Sequence, residues 1–296
     1  MFLNILVGFL RLFLPLITYG ALEVLPPPAP PVVPTPPTVE VTQEITAMSF
    51  NIYMQPDTRE ARTNGVVRTI LNEKPDSAGL QEATDAWRKD LRRNQALKEN
   101  NYAMAANKGR IFGFDEGAPI LYNAEKYELL EEGVFWLSPR PKRTTRGWDA
   151  DLPRITAYAV LKNKTTGFTY MHVNAHFDHM GPIARANSAV LVADFINTKN
   201  LPTVFTADVN ATPDSTPAEY LRAGGLRDLR DEADTADTGA TFHGYRDAGS
   251  PIDYVMANHY LRKAAEFKVI RDEYDGAYPS DHYAVAGKFT LAAAGN

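Results

Sequence analysis

The sequence predicts an α/β protein made of two packed mixed β-sheets flanked by helices, and three observations predict it. Short β-rich runs alternate with helical patterns from Glu44 onward, without an internal repeat or a second linker. Strand-like runs outnumber helical ones, and several follow each other directly, which argues against a simple doubly wound parallel sheet. At 296 residues, 44% hydrophobic and 10% aromatic, the chain can bury a substantial core in a single domain over residues 42–296.

Ahead of that domain, positions 2–22 are dominated by Phe, Leu, Ile and Val, with Arg11 the only full charge before Glu23. A central Arg costs roughly 2.5–3.5 kcal/mol on insertion, whereas each Leu, Ile, Phe or Val contributes about −0.3 to −0.6 kcal/mol, so together they exceed that cost. Residues 1–25 therefore read as a membrane anchor or signal segment of an exported protein, membrane-anchored or secreted, with its domain outside the cytoplasm. Residues 26–41 form a Pro-rich linker, expected as an extended, semi-rigid spacer without a core of its own.

Within the domain, residues 45–50 read as the first strand. Val66, Val67, Ile70 and Leu71 then recur at helical spacing until Lys74-Pro75 stops the helix. Residues 77–80 form a short strand ending on Gln81-Glu82. A second helix over 85–100 carries Arg88, Lys89, Arg92 and Arg93 on a solvated face. Further strands are predicted at 118–122, 129–137, 155–162, 169–174, 203–207, 252–257, 267–270 and 283–289, with a helix over 182–197 that Pro182 starts.

Composition narrows the chemistry. The net charge of −5, from 31 basic and 36 acidic residues, gives no broad attraction to polyanions, so any nucleic-acid contact must come from a local patch. The absence of Cys excludes disulfides and thiolate metal sites. There is no Walker loop, no Gly-x-Gly-x-x-Gly, no Gly-x-Ser-x-Gly elbow and no His-Glu-x-x-His.

Polar residues instead cluster at the ends of apolar runs: Asn51, Glu82, His176, Asp208, Asn210, Asp253 and the Ser280-Asp281-His282 triplet. A sheet delivers such groups to one edge. Taken singly, each carboxylate reads as a strand-end salt bridge; taken together they read as a site. Glu82 and Asp281 are the best metal-ligand candidates, because oxygen donors favour a hard cation, Mg²⁺ or alternatively Mn²⁺. Asp253 sits on a largely buried strand and needs a partner, for which His282 is the economical choice, its tautomer fixed by the carboxylate. Of His176 and His179, at most one need be catalytic. Asp208 and Asn210 alternate at a strand end, and a period of two puts both on one face.

Read in order, Met48-Ser49-Phe50-Asn51, Leu80-Gln81-Glu82, the 174–179 run Asn-Ala-His-Phe-Asp-His, Ala207-Asp208-Val209-Asn210, Ile252-Asp253-Tyr254 and Ser280-Asp281-His282 resemble the motif series of the endonuclease/exonuclease/phosphatase superfamily. The resemblance spans about residues 45–290. Phe135 to Ser138, Gly147 to Ala150 and Leu152 to Arg154 resemble a bacterial exported branch. It implies a four-layer α/β sandwich and Mg²⁺-dependent phosphoester hydrolysis. It also implies roles: Glu82 as the main metal ligand with Asp281 and Asn51, His282 with Asp253 activating water, and His176 with Asn210 holding the phosphoryl group. Asp208 would orient the nucleophile or protonate the leaving group, Glu116 would orient His176, and Arg154 would contact phosphate. Ala207 replaces the usual Gly, and Tyr53 stands where many relatives carry Arg.

Loops decide the substrate in such a fold. The most distinctive runs from Arg140 to Trp148, where Arg143, Arg146 and Trp148 are candidates to grip phosphate and stack a base or sugar. A monomeric nuclease-type phosphodiesterase is the first reading. The alternatives are a phosphatase acting on a small or lipid-linked phosphomonoester and a catalytically inactive, membrane-tethered binding module. The intact acidic and imidazole groups argue against the last.

Overall fold

Two β-sheets stack face to face in the computed structural model, which describes residues 23–31, 40–106, 110–111, 114–115, 117–246 and 249–294. The apolar segment over 2–22 and Glu116 lie outside the described residues. The first sheet has seven strands, ordered β12 (Ala233–Ala236), β14 (Leu261–Ile270), β15 (Ala284–Ala294), β1 (Glu40–Asn51), β2 (Ser77–Gln81), β6 (Ile120–Asn123) and β3 (Tyr102–Ala105). The second has six: β11 (Arg227–Asp228), β13 (Asp253–Ala257), β10 (Thr203–Asp208), β9 (Thr169–His176), β8 (Ile155–Asn163) and β7 (Tyr127–Trp136). A separate two-stranded sheet pairs β4 (Arg110–Ile111) with β5 (Phe114–Asp115).

Helices cover both outer faces, which gives four layers. On the seven-stranded sheet lie α1 (Arg59–Glu73), α2 (Asp85–Arg93) and α3 (Gln95–Glu99), packing Val66, Ile70, Trp87 and Leu91 onto Met48 and Phe50. On the six-stranded sheet lie α4 (Pro182–Lys199) and α5 (Thr216–Ala223), packing Ala189, Val192 and Leu221 onto Val173, Phe205 and Met256. A third apolar cluster, including Ile45, Ala47, Ala157, Tyr170, Val255 and Phe289, fills the space between the sheets. The short α6 (Leu229–Glu232) links β11 to β12. No described helix is long and apolar enough to cross a membrane.

The period of two along each strand explains how the site is placed. In β1, Ile45 and Ala47 face the inter-sheet space, so Ser49 and Asn51 continue that face; Met48 and Phe50 face the helices. In β9, Tyr170 faces inward while Met171, Val173 and Ala175 face α4, so His172, Asn174 and His176 fall on the inner row. The inner rows thus change from apolar to polar toward one end. That end gathers the C-termini of the parallel pairs β1/β2 and β9/β10 with the N-termini of β13 and β15, which run antiparallel to β10 and β1.

Three local expectations are corrected. The predicted 85–100 helix is two helices, because Asn94 adopts an extended backbone and its side chain caps the second by accepting from Leu97 N at 3.1 Å. Arg88 is not solvated: it is buried and its Nη1 donates to Ala83 O at 2.6 Å. Residues 23–31 of the Pro-rich tract lie against the domain rather than hanging free. The buried Asn187 of α4 accepts from Leu25 N at 2.7 Å and donates to Glu23 O at 2.9 Å, and Pro28 is buried.

Candidate active site

Asp208 ends β10, directly opposite Asp253 in register, and lies at the centre of the site. Its Oδ2 accepts from Asn51 Nδ2 at 3.0 Å and lies 3.5 Å from His176 Nε2 and 3.7 Å from His282 Nε2. Its Oδ1 accepts from Asn210 N at 2.9 Å. The last contact corrects the period-of-two argument: Asn210 lies beyond the strand with φ +52°, and an Asx turn, not strand alternation, brings it beside Asp208.

Asp253 and His282 form a pair, with Asp253 Oδ2 2.9 Å from His282 Nδ1. Both are buried, and the other oxygen of Asp253 has no hydrogen-bond partner among the described residues. With Nδ1–H donated to the carboxylate, Nε2 of the neutral ring is the proton acceptor facing Asp208. Burial alone would lower the His282 pKa, but Asp253 and then Asp208 outweigh it and push it up to about 10.

His176 is fixed in the opposite sense. Arg154 Nη1 lies 3.0 Å from its Nδ1; a guanidinium only donates, so Nδ1 accepts and the neutral ring carries its proton on Nε2. That proton is available to an oxygen in the site. Asn210 Nδ2 donates to Phe177 O at 3.0 Å and lies 3.1 Å from the same Nε2 without bonding to it in this tautomer, since both are then donors. Arg154 itself is buried, with Nη2 3.2 Å from His179 Nδ1, so its reach to phosphate runs through His176.

Glu82, Asp281 and Asn210 are the members left partly open to solvent. Glu82 adopts φ +57° at the end of β2; its Oε1 accepts from Asn51 Nδ2 at 3.1 Å and its Oε2 from Met54 N at 2.8 Å. Both oxygens keep lone pairs. Burial raises the Asp281 carboxyl to about 6; His282 opposes this, while the charges of Glu82 and Asp208 add to it. Carboxylates that repel one another at an open edge, with no sulfur donor, fit a hard divalent cation. Asn51 bridges Glu82 and Asp208 through Nδ2, and its Oδ1 accepts from Tyr53 N at 3.0 Å. Asp208, Asp253 and His282 also converge within 4.8 Å of one another, but the short Asp253 hydrogen bond to Nδ1 marks that group as a proton path.

Two supports went unseen in the sequence. Arg62, buried, donates to four backbone carbonyls: Ile52 at 2.7 Å, Tyr53 at 2.8 Å, and Gln55 and Pro279 at 3.1 Å. It thereby ties the segment after Asn51 to the one before Asp281. Asp178 accepts from the backbone N–H groups of Asp151, Leu152, Met180 and Gly181 at 2.8–3.1 Å. Burial alone would raise its pKa, but these donors bring it below the usual carboxylate value. Asp178 so holds the segment that follows the Arg140–Trp148 loop, at Asp151 and Leu152. Arg143 and Arg146 on that loop are exposed, and Trp148 is half-buried with φ +46°.

The four-layer sandwich presents carboxylates, imidazoles and amides at one sheet edge, a set able to hold a hard cation and move a proton. The chain belongs to the Endonuclease/Exonuclease/phosphatase family, whose model matches residues 48–282. Members of that family hydrolyse phosphoester bonds and depend on divalent metal. A family protein from Bacteroides thetaiotaomicron superposes with TM-score 0.76 at 26% identity, covering 85% of this chain and 99% of its own. One from Bacteroides vulgatus gives 0.75 at 29%, covering 84% and 99%. A mannosyl-6-phosphatase from B. thetaiotaomicron gives 0.74 at 27%, covering 83% and 99%. No curated protein sequence matches the chain significantly.

Proposed function

We propose that the chain is a Mg²⁺-dependent phosphodiesterase of nuclease type, in which His282 and Asp253 activate water. The observation that carries this reading is the oriented Asp253–His282 pair, 2.9 Å apart, beside the half-open carboxylates Glu82 and Asp281. A divalent cation held by Glu82 and Asp281, with Asn51 steadying Glu82, would supply Lewis acidity that neutralises phosphoryl charge.

The protein's own groups do the rest. His282 Nε2 takes a proton from water, and Asp253 stabilises the imidazolium that results. His176, its proton on Nε2 because Arg154 occupies Nδ1, donates to a phosphoryl oxygen beside the Asn210 amide. Asp208, 3.5 and 3.7 Å from the two imidazoles, orients the attacking water or returns a proton to the leaving oxygen. Lys142, Arg143 and Arg146 are exposed on the loop that precedes the Asp178-bound Asp151 and Leu152, a local cationic patch on an acidic protein suited to a longer polyanion. The second reading, a phosphatase of a small phosphomonoester, is favoured by the likeness to the mannosyl-6-phosphatase.

A panel of plasmid DNA, RNA, lipid phosphodiesters and sugar phosphates, with Mg²⁺ and with EDTA, tests both. Hydrolysis should vanish in chelator and return with Mg²⁺ or Mn²⁺; full activity in EDTA would sink the assignment. For the diester reading, neutralising Lys142, Arg143 and Arg146 should raise KM on nucleic acid and flatten its salt dependence, leaving sugar phosphates unaffected. An unchanged salt slope would make the loop an ordinary solvated one, whereas hydrolysis of sugar phosphates but of no diester would move the assignment to the phosphatase.

A further inference from the structure

Two bulky aromatics next to the carboxylate edge adopt a backbone that such residues avoid: Tyr53 with φ +57° and Tyr245 with φ +56°. Strain of this kind persists only where the surroundings over-determine it, and it concentrates at functional sites. Here the surroundings are specific. Tyr53 N donates to Asn51 Oδ1 at 3.0 Å, and its carbonyl accepts from Arg62 Nη2 at 2.8 Å and Trp87 Nε1 at 3.0 Å. Tyr245 N donates to His243 Nδ1 at 3.1 Å, and His243 Nε2 donates to Ser280 O at 3.1 Å. The N–H groups of His243 and Gly244 both donate to Asp281 O at 3.0 Å. One tyrosine is thus pinned to the segment carrying Asn51, the other to the segment carrying Asp281.

The side chains form a corner. The Tyr53 and Tyr245 rings are 6.0 Å apart at 60°. Behind Tyr245, His243 lies 5.5 Å away edge-on and stacks on Tyr283 at 4.2 Å, with Tyr278 at 4.9 Å from His243. The backing is stiff, yet Tyr245 is 49% exposed, the one aromatic among the exposed large apolar residues described. Nothing in the proton chemistry above uses either ring. Tyr53 is half-buried, with the Arg62 guanidinium 5.1 Å from its ring centroid, so Tyr245 is the open wall of the corner, and such a wall next to a phosphoryl site takes the flat or apolar face of a ring.

We infer that Tyr53 and Tyr245 form a subsite for a sugar or base ring carried on the phosphoester, so that the enzyme selects ring-bearing over acyclic substrates; this rests on the phosphoesterase reading for the phosphoryl group alone. The test is binding of non-hydrolysable phosphonates of glycerol, a hexopyranose and a nucleoside to the full chain with Mg²⁺, with inorganic phosphate as reference. At least one ring-bearing phosphonate should bind about tenfold tighter than the glycerol compound, the size expected of one stacked ring. Whichever ring binds tighter identifies sugar or base. Tyr245→Phe should keep the advantage, whereas Tyr245→Ala and Tyr245→Leu should lose it while binding inorganic phosphate unchanged. A wild-type protein without ring preference, or a Leu variant as good as Phe, would overturn the subsite. A ring advantage without hydrolysis of any phosphoester would sink the phosphoesterase reading and leave the subsite; hydrolysis without a ring advantage would do the reverse.

Discussion

A carboxylate that points one buried oxygen at a single imidazole and leaves the other unpartnered has little purpose apart from that imidazole, so Asp253 and His282 should behave as one unit. General-base catalysis contributes about 10²–10⁴-fold, and His282→Ala should lose at least that in kcat. Asp253→Ala should lose nearly as much, and the double variant little more than the worse single one; multiplying losses would mean independent roles. The pH profile has a definite sign. Only neutral His282 accepts a proton, and its neighbouring carboxylates hold it protonated toward about 10, while a bound cation acts oppositely. The rate should therefore rise with pH along a limb centred below about 10, and that limb should be absent from His282→Ala. Asp281 sets a second dependence. Its carboxyl, raised to about 6, is protonated below that pH, so a cation must displace a proton there. Calorimetric cation affinity should increase as pH rises through about 6 and level off above it, with proton release on the acidic side. Glu82→Gln should weaken cation binding at every pH. Affinity indifferent to pH across that range would remove Asp281 from the ligand set.

Between the sheets, a hydrogen-bonded file of buried side chains runs from the apolar core to the site: Tyr170 to Ser77 at 3.0 Å, Ser77 to His172 at 2.7 Å, His172 to Thr206 at 2.8 Å and Thr206 to Asn174 at 3.0 Å. Asn174 then accepts from Gln81 at 2.7 Å, one residue before Glu82. Burial holds the His172 imidazole at about 3, so it stays neutral and bonds through both nitrogens. Gly79 leaves the room this file needs, since a Cβ there would lie 2.1 Å from Thr206 Oγ1 and 2.3 Å from Asn174 Oδ1. Gly79→Ala should destabilise the fold by about 1–3 kcal/mol, read from the denaturation midpoint, and should lower kcat by displacing Gln81 and Glu82. An unchanged midpoint would show that the file yields freely. The file also marks the limit of what a sequence reveals. An apolar run ending in a lone polar residue is conspicuous, which is why Asn51, Glu82, His176, Asp208 and Asp253 could be picked out with their strands. Arg62 and Asp178 could not, because they bind backbone carbonyls and amides, whose positions no side-chain pattern records. Edge strands such as β12, Ala-Asp-Thr-Ala and mostly exposed, carry no alternation to detect. The break at Asn94 was hidden because its capping geometry competes with a helical pattern continuing on both sides.

At the scale of the molecule, the four-layer sandwich encloses the chemistry between two sheets, and the helices on the six-stranded sheet receive the N-terminal approach. Residues 23–31 cross α4 and the end of α5, where Gly225, at φ +92°, allows close passage: a Cβ there would lie 2.4 Å from Pro31 Cγ. The crossing lies outside the catalytic hydrogen bonds but contributes buried contacts to the domain. Removing it exposes the Asn187 amide, which loses Glu23 O and Leu25 N, and uncovers the surface beneath Pro28. Each hydrogen bond of this kind is worth about 0.5–1.5 kcal/mol. A chain beginning at residue 40 should therefore unfold at a temperature lower by about 2–12 °C than one beginning at residue 23, since the two bonds together are worth about 1–3 kcal/mol and 1 kcal/mol corresponds to roughly 2–4 °C at this size. Its kcat should be unchanged, because the described hydrogen bonds of the crossing segment go to Asn187 and not to the site. Asn187→Ala in the longer chain should reproduce part of the loss, and in the shorter chain it should cost much less, because the partners are already gone. If both chains melted together, the hydrogen bonds from Asn187 would contribute nothing to stability, and the domain would be complete from β1 onward.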